Sequence, residues 1–158
     1  MHESSSKTAV LLIRIPPGKN EESTFEQMLI NLHEGLGHHN IALEITSHHQ
    51  HVYFYFRIPS SIKELIEGQI YALYPDAEIS EMADYAQSKN FQGKDITAAY
   101  LSLARSDIYP IKTFKSFDSD SLAGVLAVLT KAADDEQAWI QIIIQSRHDD
   151  WKLNFGRS

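Results

Sequence analysis

Between His51 and Glu81 the alternation of polar and apolar positions changes period twice, and the rest of the chain is arranged about this stretch. In HVYFYFRIP, Val52, Phe54 and Phe56 alternate with Tyr53, Tyr55 and Arg57, the period of two that a strand imposes. Aromatic rings on both faces predict a central strand, covered at least in part on both sides. Pro59 ends it, because proline cannot donate to a ladder. Ser61 and Glu64 have the spacing of a helix capping box. Ile62, Leu65, Ile66, Ile70 and Leu73 then recur at helical spacing and form one apolar stripe. Tyr74-Pro75 stops the helix, since a residue before proline avoids helical geometry. Ala77, Ile79 and Glu81 return to a strand, with Ile79 inward.

The preceding residues repeat this grammar. TAVLLIRI, Thr8 to Ile15, is a strand closed by Pro16-Pro17-Gly18. Ser23 or Thr24 is placed to cap a helix, whose buried stripe is Phe25, Met28, Leu29, Leu32 and Leu36. Gly35 and Gly37 mark its end. Ile41 to Thr46 is a second strand, joined to the aromatic one by a tight polar turn, so the two predict an antiparallel hairpin. Strand, helix, strand, strand, helix, strand is the order of an α+β, ferredoxin-like βαββαβ unit with an antiparallel sheet, here over residues 8–84.

Residues 95–147 predict a second, partial ββαβ-type unit packed on the first. Tyr85 to Lys94 is the polar linker between the two. Ile96 to Ala104 alternates as a strand. Asp107 to Ser119 is irregular and carries Tyr109, Phe114 and Phe117, read as rings that pin a loop to the core or offer a contact site. Leu122, Val125, Leu126 and Leu129 mark a third helix, capped from Asp118 to Asp120. AWIQIIIQS, Ala138 to Ser146, is the last strand.

At 158 residues and 43% hydrophobic content the chain has ordinary globular composition and enough length for a sizeable core. A net charge of -7 argues against broad nucleic-acid binding, which needs a basic face. There is no cysteine, which removes thiol nucleophiles, disulfides and cysteine metal sites. No run approaches the roughly 18 apolar residues of a membrane span, and MHESSSK lacks a secretory signal core.

The histidines His38, His39, His48, His49 and His51 are candidate metal ligands, since imidazole binds zinc or copper. They are placed together at one end of the predicted hairpin. The competing reading is solvated turn residues, because neighbouring side chains diverge and no carboxylate stands at a familiar ligand spacing. Gly18-Lys19 and Gly93-Lys94 lack the G-x-x-x-x-G-K-[ST] phosphate loop, and no nucleophile elbow occurs. The acidic residues Asp76, Glu78, Glu81, Asp84 and Asp134 to Glu136 show no convergence that general acid–base work requires. The aromatic strand lacks the basic surroundings of an RNA-stacking sheet. These residues point to no catalytic group and no cofactor.

Three phrases carry a family likeness: FRIPSSIKELIEGQIYALYPDAEI, DIYPIKTF, and DSDSLAGVLAVLTKAADDEQAWIQIIIQ. Together they resemble the region that precedes the motor in bacterial type IV secretion and conjugal-transfer ATPases of the TraG, HerA and FtsK kind. The likeness runs from about Ile13 to Arg147. It rests most on Glu67, Gln69, Tyr71, Tyr74, Pro75 and Asp76, then on Pro110, Lys112, Phe114, Leu122, Ala123 and Gly124. Gln137, Trp139, Ile140 and Gln141 complete it. The final strand runs on into QSRHDD, without the proline expected there. The resemblance implies a non-catalytic accessory domain, cytoplasmic and held at the membrane as part of a larger protein, with ATP hydrolysis located elsewhere. It implies self-association or docking to a secretion-channel or membrane protein, without membrane insertion or strong nucleic-acid binding. The rivals are a small-molecule sensor and a single-stranded nucleic-acid binder.

Overall fold

A computed structural model describes residues 7–16, 22–87, 94–104, 112, 116–118, 120 and 122–145. The protein is α+β: a five-stranded, wholly antiparallel sheet with helices on one face. The strands are β1 (Thr8–Arg14), β2 (Asn40–His48), β3 (His51–Pro59), β4 (Glu78–Met82) and β5 (Gln137–Gln145). The helices are α1 (Glu22–Gly35), α2 (Lys63–Leu73) and α3 (Ala123–Leu129). The order across the sheet is β4-β1-β3-β2-β5, so β3, the aromatic strand, is the middle one. None of the helices among the described residues is long and apolar enough to cross a membrane.

Alternation divides the sheet into two unlike faces. Ala9, Leu11 and Ile13 of β1, Ile41 of β2, and Phe56 and Ile58 of β3 point to the helices. They meet Met28 and Leu32 from α1, Leu36 just after it, and Ile62, Ile66, Ile70 and Tyr74 from α2 and its flanks. Phe25 and Leu65, expected in the stripes, lie at their borders and are 40% and 37% exposed. Leu65 still has a packing role. A Cβ on Gly35 would stand 3.0 Å from its Cδ2, so the glycine lets the end of α1 come close to α2. Gly37 follows with φ of +56°, the left-handed residue after a helix, while Leu36 N–H donates to Leu32 O at 2.9 Å.

Several local expectations are corrected. The capping box at Ser61 and Glu64 does not form. The chain enters α2 through a 3-10 turn, Ser60–Ile62, with neither the turn nor α2 side-chain capped, and Ser60 N–H is instead taken by Lys7 O at 2.8 Å. α1 begins at Glu22, ahead of the cap expected at Ser23 or Thr24, whose side chains lie outside the described ones. Residues 96–104 form no strand: Ile96, Tyr100, Leu101 and Leu103 are 57–100% exposed. Alternation alone does not make a strand: a ladder also needs a paired edge, and these residues pair with none of the described strands. The second half thus adds one strand and one helix to the first sheet among the described residues. α3 is tied to the helix-bearing face where the wholly buried Ser47 hydroxyl donates to Leu129 O at 2.6 Å, satisfying a carbonyl at the helix end. At its other end Asp120 Oδ1 accepts from Leu122 N–H at 2.8 Å.

Candidate functional site

The opposite face of the sheet carries the polar chemistry. Its rows are Val10 and Leu12 of β1, Glu44 and Thr46 of β2, Tyr53, Tyr55 and Arg57 of β3, and Trp139 and Gln141 of β5. Glu44 is 3% exposed, in a position where sequence alternation alone reads as solvated. It stands directly between Tyr55 and Gln141 in the ladder, with Arg57 two residues along β3 on the same face.

A buried carboxylate needs its charge and lone pairs satisfied, and Glu44 is satisfied by three elements at once. Arg57 Nε donates to its Oε1 at 2.7 Å, and Gln141 Nε2 donates to the same oxygen at 2.6 Å. The Tyr85 hydroxyl donates to Oε2. Arg57 uses the other arm of its fork on Asp84, Nη2 to Oδ1 at 2.9 Å. Asp84 also accepts from the Ala86 N–H and from Gln87 Nε2, each at 3.0 Å. The expected linker therefore begins differently: Tyr85–Gln87 is a 3-10 turn fastened across the sheet.

Aromatic rings complete the surface. Tyr85 lies 5.2 Å from the Tyr55 ring and 5.1 Å, edge-on, from Trp139, with the Arg57 guanidinium 5.4 Å from its own centroid. Tyr53 continues the row 6.3 Å from Tyr55. Beside them opens a cleft of about 660 Å³, lined by Arg14, Tyr53, Tyr55, Asp84, Tyr85 and Gln87 among others.

The electrostatics fit a clamp. The Arg57 guanidinium beside Asp84 holds that carboxyl below its ordinary range. Burial, then the Glu44 carboxylate, pushes the Tyr85 phenol well up, so it remains a neutral donor. Arg57 is held protonated by Asp84 first and also by Glu44. Donors and acceptors here are committed to each other, which suits holding a surface in one shape more than moving a proton.

The histidines are not brought together. His38 and His39 precede β2 and are exposed, whereas His48, His49 and His51 surround the turn at its far end. Eight residues of β2 lie between His39 and His48, and the extended strand holds the two groups apart by about 26 Å. The expectation of one shared end is corrected: β2 itself runs between them. The His48 and His49 rings meet edge-on at 3.9 Å, and burial, then His49, lowers the His48 pKa. His51 Nδ1 lies 2.7 Å from His49 O, within its own turn. No group of three or more metal-ligating side chains occurs among the described residues. Of the aromatic contact candidates, Tyr109 and Phe114 lie outside the described residues, and Phe117 is 46% exposed with Lys112 Nζ 6.0 Å from its ring.

A family profile described as a domain of unknown function, DUF8128, matches residues 4–155, which takes in every strand and helix above. The chain belongs to this family. No curated protein and no solved structure matches it. Within the DUF8128 match, residues that carry the likeness noted above fall in different places. Tyr74, after α2, is buried in the helix-side core, whereas Trp139 and Gln141 are part of the polar face.

Proposed function

We propose that the chain is a non-catalytic interaction domain of a membrane-associated ATPase that translocates DNA or protein, of the type IV secretion kind. The likeness of its phrases to the pre-motor region of those ATPases supplies the context. The observation that carries the interaction role is β5. It is an edge strand of nine residues, without charge, proline or glycine, and with Trp139, Ile142 and Ile143 44–65% exposed. Soluble proteins ordinarily blunt such an edge, and one left open is a template for another chain. The domain then works as an adaptor on the cytoplasmic side, and nucleotide chemistry belongs to another part of the protein.

Two measurements test this. The purified chain should hydrolyse no ATP above a heat-unfolded control. The complete reading frame should encode a phosphate loop of the form G-x-x-x-x-G-K-[ST]. Hydrolysis by the chain alone, or a full frame without a nucleotide-binding domain, would refute the assignment.

The cleft beside Tyr53, Tyr55 and Tyr85 favours a second reading, a small-molecule sensor, because its size and its mix of rings with a few polar groups suit a ligand. A thermal-shift screen distinguishes them: a ligand that raises Tm by several degrees supports the sensor.

A further inference from the structure

The two edges of the sheet are built to opposite specifications. β4 is five residues long, and its charges are tied down: Glu81 to Lys63 at 2.5 Å and Glu78 to Arg14 at 4.0 Å. Short length and charge are the usual protections against edge-to-edge pairing. β5, at the other edge, has neither. Ile142 and Ile143 lie on opposite faces of the strand and are 53% and 65% exposed, so apolar surface stays uncovered on both sides. Among the described residues no strand pairs with its outer side.

In its order of polar and apolar positions β5 also reads the same in both directions. In QAWIQIIIQ, Gln141 is the centre and Gln137 and Gln145 are the ends. A two-fold axis through Gln141 would set Gln137 against Gln145, Ala138 against Ile144, Trp139 against Ile143 and Ile140 against Ile142. An isologous contact requires this self-complementarity. With no charge in the strand, no like pair would meet across the axis. Each Gln141 gives one N–H to Glu44. An amide has a second donor and an acceptor oxygen, which can serve its symmetry mate.

We propose that the outer edge of β5 pairs with β5 of a second copy, antiparallel about Gln141, joining two five-stranded sheets into one continuous sheet. This rests on the interaction role argued above and names its partner. On one face, Ile140 and Ile142 of the two copies cover each other; on the other, Trp139 and Ile143 do so. The pairing consumes the edge that no described strand covers, and β4 is protected, so association stops at two.

The absence of cysteine makes the test direct. Sedimentation velocity over a concentration series should show a monomer–dimer equilibrium. Ile143→Lys should abolish it while leaving the circular-dichroism spectrum and melting temperature close to the parent. Gln141→Cys should cross-link to itself through a short bifunctional maleimide. Gln137→Cys alone should not, but mixed with Gln145→Cys it should. A monomer at every concentration, a dimer insensitive to Ile143→Lys, growth beyond two copies, or cross-linking in another register each overturns the pairing. ATP hydrolysis by the chain would instead overturn the role on which it rests, and the two failures are read by separate assays.

Discussion

On the helix-covered face, Leu11, Ile41, Ile58, Ile66 and Ile70 are at most 1% exposed and pack into one apolar cluster. On the other face, Glu44 is almost as deeply buried, at 3%, yet it is surrounded by Arg57, Tyr85 and Gln141. The same strands supply both. The apolar face is stabilised by area removed from water, which has no direction and little dependence on pH. The polar face is stabilised by geometry, and its parts depend on one another, since losing one partner leaves another buried and unmatched. One face therefore tolerates modest repacking, whereas the other tolerates removal of the whole set better than removal of one member.

The largest expected effect is on the apolar face. Ile66→Ala should cost roughly 3–4 kcal/mol by urea unfolding, the range for deleting a large buried aliphatic, and Ile66→Val about 1 kcal/mol. Arg57→Met should come close, at about 3 kcal/mol, because Glu44 is left as an unpaired buried charge. Adding Glu44→Leu should then recover much of that loss. A double-mutant cycle with strictly additive costs would show that the two side chains do not act as a unit.

Dependence on pH separates the faces further. Asp84 has a folded pKa below its unfolded value, so its contribution is present above about pH 4 and is lost as pH falls through the folded value. Tyr85 has a folded pKa above its unfolded value. Its contribution is full below about pH 10 and is lost as pH rises toward the folded value. The Glu44→Leu, Arg57→Met double variant should flatten both limbs of the stability profile, whereas Ile66→Ala should lower the whole curve by a constant amount. Parallel profiles for the parent and the double variant would remove the clamp from the account.

The smallest effect concerns the turn that sets which residue belongs to which face. His49 and Gln50 both have positive φ, 48° and 61°, and together form the two-residue loop between β2 and β3. Side chains with a Cβ are disfavoured there, and Asn-Gly is the preferred pair. Replacing both should raise stability by about 1 kcal/mol, less what is lost with the 3.2 Å hydrogen bond from Gln50 to Asp134. A fall in stability would mean that this bond outweighs the backbone preference.

Much of the helix-covered face was legible in the sequence. Val52 to Phe56 announced a central strand, and Met28, Leu32, Ile66 and Ile70 announced the faces of α1 and α2, because burial follows a period readable within a few residues. The polar face was not. Tyr85 and Gln141 lie 41 and 97 residues along the chain from Glu44, and no local pattern distinguishes a buried glutamate from a solvated one. The one available sign was Arg57, a charged residue in a strand otherwise marked as central. Residues 96–104 show the converse failure, with strand-like alternation and no pairing partner among the described residues. The docking of β5 against β2 likewise had no local cue, since pairing depends on which edge is vacant.

The His49-Gln50 connection fixes the frame in which the sheet is read. Inserting or deleting a single residue there would rotate β3 by half a pleat relative to β2. Arg57 and both tyrosines would be driven into the hydrocarbon interior, and Phe54 and Phe56 would be turned outward. Length variation among natural versions of this domain should therefore be absent at that bend and concentrated elsewhere, making the spacing from Glu44 to Arg57 a more telling signature than the identity of either turn residue.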